Sequence, residues 1–172
     1  MKKYKCKLCG EIVDAPEGVE LVQIESSAQL CAAVLERGEK ADVVVQAAAP
    51  ADFRPKNVAE RKIKKTGENM TLELEATTDI AAELGRRKQP GQILVAFAAE
   101  TNDVMDNARG KLIKKNADLI VANDVSRSDA GFGVDTNVIT LITAEDVRAL
   151  EKMSKRAAAD AILSRVRELR GK

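Results

Sequence analysis

Histidine is absent from this chain of 172 residues. That excludes a Ser-His-Asp or Cys-His nucleophile system and any histidine-ligated metal. Aromatic residues are scarce. Tyr4, Phe53, Phe97 and Phe132 are the whole set, too few for a base-stacking nucleic-acid surface. No apolar run approaches the ~18 residues of a membrane span. The N-terminal MKKYKCKLCGEIVD lacks the apolar centre of a signal peptide. The expectation is a cytoplasmic protein that uses neither nucleic acid nor a membrane as partner. Charge of one sign is lacking as well: 28 basic and 27 acidic residues leave a net charge of +1. Any anion site must therefore come from local clusters of lysine and arginine. Three cysteines do not make a disulfide framework.

What is present is an ordinary core fraction, 45% hydrophobic, arranged in two parts. Residues 1–18 form a cysteine-containing appendage with a C-x-x-C knuckle at Cys6 and Cys9, closed by a Pro16/Gly18 turn. Residues 19–172 read as an α/β domain. Strands are expected at 19–24, 41–47, 70–75, 92–98 and 118–122, the second and fourth as buried runs typical of a parallel sheet. Helices are expected at 26–38, 80–88 and from 102 or 103 to 116. Ser26 and Gln29 make a capping box for the first, Gly38 suits its C-terminal cap, and Thr78-Asp79 caps the second. Residues 138–142 and 147–150 suggest a hairpin. Ser154 then caps a last helix with Ala158, Ala161, Ile162, Val166 and Leu169 on one face. The fold class is α/β: a Rossmann-like, mostly parallel sheet with helices on both faces, plus a C-terminal β-hairpin and helix.

Ligands of such sheets bind beyond the carboxyl ends of the strands. Three ends are rich in small residues: AAAPADFRP at 47–55, which carries Asp52; AFAAET at 96–101; and ANDV at 122–125. Small residues at strand ends also permit tight loops, so none of these decides alone. The lysines add weight. On a helix, Lys111 and Lys115 fall within about 20° of Val104, at the edge of the buried stripe. There an ammonium either snorkels outward or meets an anion. Lys62 and Lys64 share one face of an extended chain, which is either a solvated loop or a second phosphate clamp. No glycine-rich phosphate loop exists, so a phosphate would rely on lysines and helix N-termini. Cys31 sits beside an apolar stripe and reads as core. Cys6 and Cys9 are too few for a tetrahedral zinc or iron site within one chain, whereas two chains would supply four thiolates.

These segments resemble phosphopantothenate–cysteine ligases. The similar stretches are AAAPADFRP at 47–55, KIKK at 62–65, TTDI at 77–80, FAAET at 97–101, KLIKKN at 111–116, ANDV at 122–125, GFG at 131–133 and NVITL at 137–141. The match runs from about Gly18 to the C-terminus. The resemblance implies an enzyme that uses a nucleoside triphosphate, CTP, with Mg²⁺ to join 4′-phosphopantothenate to cysteine through an acyl-cytidylate. It further implies a homodimer. By motif position, Asp52, Lys62, Asp79, Ile80, Phe97, Lys111 and Lys115 contact the nucleotide, Lys62 stabilises charge at the α-phosphate, and Asn123 lies nearby. Two departures stand out. Thr77-Thr78 replaces the usual Asn-Pro or Thr-Pro, and nothing before Val19 resembles the family's Asn-bearing phosphopantothenate segment. Instead, the stretch from Tyr4 to Ile12 resembles half of a rubredoxin or zinc-ribbon knuckle. On this reading the activity depends on whether that segment is dispensable or replaced. A nucleotide-binding relative without turnover and a metal-knuckle interaction protein are the alternatives.

Overall fold

A computed structural model describes residues 3–5, 12–14, 17–65, 67, 69–100, 104–124 and 134–171. Two short strands, β1 (Lys3–Lys5) and β2 (Ile12–Asp14), pair antiparallel. Cys6 and Cys9, between them, lie outside the described residues.

The body begins with α1 (Ser27–Gly38), and its capping box is formed as expected. Ser26 Oγ accepts from the Gln29 N–H, and Gln29 Oε1 accepts from the Ser26 N–H. Next come β3 (Val43–Gln46), an arm made of β4 (Phe53–Pro55) and β5 (Leu74–Ala76), α2 (Ile80–Arg87), β6 (Ile93–Glu100), α3 (Val104–Lys114) and β7 (Leu119–Asp124). The C-terminal part holds β8 (Thr136–Asn137), β9 (Ile139–Ile142), β10 (Val147–Ala149), β11 (Met153–Ser154) and α4 (Lys155–Arg170). The main sheet has the order β10-β9-β7-β6-β3. β3, β6 and β7 run parallel, and the hairpin β9–β10 continues the sheet antiparallel. The sheet is thus mixed, with its parallel half at the β3 edge.

Side chains alternate across this sheet, and each set meets its own helices. Leu94, Ala96, Ala98, Ile120 and Ala122 pack with Ile80, Leu84 and Leu112 against the α1–α3 layer. Val95, Leu119, Val121 and Leu141 pack with Ala158, Ile162 and Val166 of α4. The stripe expected on the last helix is therefore its buried face, and Cys31 borders the first of these cores.

Four expectations need correction. The run at 41–47 is not a buried strand: β3 is the edge of the sheet, Val43 and Val44 are half-buried and Val45 is 43% exposed, because no described strand pairs with its outer side. Residues 19–24 form no strand; Val19, Leu21, Val22 and Ile24 are exposed. Their alternation is real, but a strand forms only against a partner, and no described strand pairs with them. The segment 70–75 is strand only from Leu74, and Met70, Leu72 and Leu74 are exposed because β5 pairs with β4 in the arm, away from the main sheet. Gly38 is the last residue of α1 rather than a left-handed cap. Its bare Cα leaves room for Leu84: a Cβ there would stand 2.9 Å from Leu84 Cδ2, a contact the leucine side chain relieves by shifting.

The end of α4 is pinned to the β9–β10 turn by Arg165, whose side chain is 4% exposed and pairs with Asp146 and Glu168. Asp146 is held below the usual carboxylate range, chiefly by the Thr143 hydroxyl and then by Arg148 and Arg165. Glu168 is lowered as well, first by Arg165. Depressed folded values mean stabilisation that is present above the ordinary carboxylate pKa of about 4 and is lost as pH falls through the folded values. Asp146→Asn is expected to lower the melting temperature at pH 7 and to flatten the acid limb of the stability curve. An unaltered acid limb would remove this cluster from the account.

Candidate functional site

A crevice of about 550 Å³ opens at the carboxyl ends of β3, β6 and β7. It is built where the sequence places it. β3 delivers Gln46 and the run of small residues from Ala47 to Ala49, β6 delivers Phe97 and Ala99, and β7 delivers Asn123. Parallel strands point their C-termini to one edge, so segments far apart in sequence converge there.

Asp52, Asp79, Ile80, Phe97, Lys111 and Lys115 all line this crevice. Asp79 is the N-cap of α2, its carboxylate accepting from the Ala82 N–H at 3.1 Å. Lys115 reaches the same carboxylate at 3.0 Å. Burial works against the charged form of Asp79, but the Ala82 N–H and the Lys115 ammonium outweigh it, so its pKa lies below the ordinary value. The stabilisation from this pair is present above the ordinary carboxylate pKa and disappears as pH falls through the lowered one. Lys115 is set by the end of α3. There Asn116 adopts φ 47°, and the Asn116 and Ala117 N–H groups donate to the Ile113 and Leu112 carbonyls. This is a Schellman close with asparagine in the left-handed position. The Asn116 side chain donates to the Gly85 carbonyl at 2.9 Å and ties α3 to α2.

Asp52 is exposed at the crevice mouth. Thr77 fixes the root of the arm beside it, donating its N–H to the Asp52 carbonyl and its hydroxyl to the Ala51 carbonyl. Lys62 is different. It is exposed on the irregular part of the arm and is not among the crevice-lining residues. Lys64 is exposed too, and 62–65 form no strand.

Several lining residues escaped the sequence reading. Asn137 belongs to β8, and Lys155, Ala158, Ala159 and Ile162 belong to α4, all of which reach the crevice from the hairpin side. Nothing local in the sequence marks Asn137 or Lys155, because tertiary packing brings them there. Gln46 carried a faint signal as the polar residue in an apolar strand; it is buried and donates to the Ala48 carbonyl.

The acidic cap of α2 offers a direct check. Asp79→Ala removes both the helix cap and the Lys115 partner, and is expected to cost about 1 kcal/mol of stability. Urea denaturation measures this. An unchanged midpoint would mean that the cap is replaced by water.

Residues 8–169 match the family described as DNA/pantothenate metabolism flavoprotein C-terminal domain. The chain is 46% identical over 159 residues to the coenzyme A biosynthesis bifunctional protein CoaBC of Bacillus subtilis (strain 168), covering 91% of this chain and 39% of that protein. It is 40% identical to the protein of the same name from Vibrio parahaemolyticus, covering 91% of this chain and 40% of that one. The chain thus spans about two fifths of these relatives' length. Among solved structures, it is similar to a crystal structure of the C-terminal domain of coenzyme A biosynthesis bifunctional protein CoaBC. The TM-score is 0.73 at 35% identity, covering 91% of this chain and 69% of the other.

Proposed function

The chain belongs to the DNA/pantothenate metabolism flavoprotein C-terminal domain family, and from that premise we propose that it is a ligase of coenzyme A biosynthesis that joins 4′-phosphopantothenate to cysteine with CTP. The observation that carries this reading is the meeting of Asp52, Asp79, Ile80, Phe97, Lys111 and Lys115 on one crevice.

The reaction asks little covalent chemistry of the protein. The pantothenate carboxylate attacks the α-phosphorus of CTP, and the bond to pyrophosphate breaks. The resulting acyl-cytidylate is attacked at its carbonyl carbon by the amine of cysteine, and CMP leaves. Such a path needs positioned substrates and neutralised phosphate charge, not a protein nucleophile. It is therefore compatible with a chain that has no histidine. Lys111 from α3 and Lys115 from the turn that ends it neutralise the phosphates. Lys62 does so at the α-phosphate once the arm brings it over the crevice. Mg²⁺ is usually held by one or two carboxylates plus phosphate oxygens. Asp79 is engaged by Lys115, so Asp52 at the mouth is the fitting carboxylate. When bound, the ion neutralises phosphate charge.

A homodimer accompanies this reading, supported by the exposed apolar side chains of the arm, Phe53, Ile63, Met70, Leu72 and Leu74. A large exposed apolar patch favours a protein partner. The reaction's water-soluble substrates favour the cytoplasm. No helix among the described residues is long and apolar enough to cross a membrane. Zinc or iron shared by the Cys6/Cys9 pairs of two chains is a separate proposal, tested by metal analysis of the purified protein.

The test is CMP release by the purified chain given CTP, Mg²⁺, 4′-phosphopantothenate and cysteine. Release that depends on cysteine supports the ligase. CTP binding without release would reduce the assignment to a nucleotide-binding relative.

A further inference from the structure

Among the described residues, only Asn123 Oδ1 and Arg165 Nε are buried side-chain atoms without a hydrogen-bond partner. Arg165 is already ion-paired through its other nitrogens, remote from the crevice in the β9–β10 cluster. Asn123 is not so compensated. It is 8% exposed and lines the crevice. A buried acceptor left unpaired is costly, and one retained at a crevice is met there by water or by a ligand.

Its position says what kind of ligand. Asn123 lies near the end of β7, in register with Ala99 of β6 and Ile139 of β9. Two residues earlier, Val121 faces the α4 side of the sheet and stands in register with Phe97. Alternation puts Asn123 and Phe97 on that same face, one strand apart. Around them Ala99, Ala158 and Ala159 are small and leave room for a flat group. An aromatic ring beside a carboxamide is suited to a planar heterocycle, stacking on its face and reading its edge. Lys111 comes from α3 and Lys115 from the turn that ends it, and α3 packs on the opposite face. A ligand with a base at one end and phosphates at the other would bridge the strand ends between them.

We propose that Asn123 determines base specificity, its Oδ1 accepting a hydrogen bond from the exocyclic amino group of the bound nucleotide. The proposal rests on the reading that the crevice takes a nucleotide. It separates amino bases, as in CTP and ATP, from their oxo counterparts in UTP and ITP. With the carboxamide oriented as in this structure, an oxo base sets a carbonyl lone pair against Oδ1 and leaves that oxygen unpaired; a carboxamide free to turn would meet both kinds of base equally, and wild-type ratios near one would report it.

The experiment is calorimetric titration of the full chain with CTP, UTP, ATP and ITP in the presence of Mg²⁺, for the wild type and for Asn123→Ala. The wild type is expected to favour each amino base over its oxo partner by about tenfold or more. In Asn123→Ala both ratios should fall toward one, with loss concentrated in the amino nucleotides. The melting temperature should hold or rise, because the variant removes an unpaired buried acceptor. Asn123→Ser supplies the same ratios should the alanine variant fold poorly. Ratios near one in the wild type, or ratios unchanged in the variants, overturn the assignment while leaving nucleotide binding intact. So does a preference for the oxo bases, or a loss in the variants confined to 4′-phosphopantothenate. Absence of binding by all four nucleotides overturns both the assignment and the reading beneath it.

Discussion

Gly85→Ala is expected to destabilise the domain by about 3 kcal/mol or more and to weaken nucleotide binding along with it. Gly85 lies in α2, buried against the turn that ends α3. A Cβ at this position would overlap the Lys115 carbonyl oxygen, and would stand 2.8 Å from its carbon and 3.2 Å from Asn116 Cβ. The obstacle is backbone, so no rotamer change relieves it. The helices must separate, and with them go the Asn116–Gly85 hydrogen bond and the Lys115–Asp79 pair. Stability and binding are therefore coupled at this residue. Gly110→Ala is the matched control. Nothing lies within 4 Å of a Cβ there, and alanine in a helix interior is better than glycine by up to about 1 kcal/mol. Chemical denaturation of both variants decides the matter. If Gly85→Ala melts like the wild type, the α2–α3 contact is softer than described.

Lys62→Ala is expected to reduce CMP release by about 10²- to 10³-fold, the scale found when one donor to a developing charge is removed. CTP affinity should change far less. Lys62 is exposed and stands apart from the crevice lining, so on the proposed reading it would add little to ground-state binding and would act only with the arm over the phosphates. The converse holds for Lys111→Ala, which should raise the dissociation constant for CTP, because Lys111 already lines the crevice. Steady-state kinetics combined with equilibrium binding separates the two. Normal turnover in Lys62→Ala would remove that residue from the chemistry.

The parts of the fold that were legible share one cause, which is that their signals are local. The Ser26–Gln29 capping box, the Asp79 and Ser154 caps and the apolar run of β6 depend on neighbours within a few residues. The same is true of the Lys111/Lys115 spacing, which placed both lysines at the edge of the buried stripe and so beside the crevice. Residues 19–24 show the limit of this. Their alternation has the period of a strand, but strand formation is decided by a partner that periodicity does not reveal. The end of α3 at Asn116 was legible, but the reach of the Asn116 side chain to the Gly85 carbonyl on another helix was hidden.

By itself the sequence determined the α/β alternation, the helix N-caps, the Lys111/Lys115 pair beside the strand ends and the absence of histidine chemistry, each written in residue type or in spacing along the chain. Tertiary structure alone decided that Asn137 and Lys155 join the crevice and that Lys62 stands outside it. It alone decided that Gly85 must be bare and that Asn123 keeps an unpaired acceptor. The physical reason is that close approach and hydrogen-bond satisfaction depend on which surfaces meet in space, and segments far apart in the chain carry no local mark of their meeting.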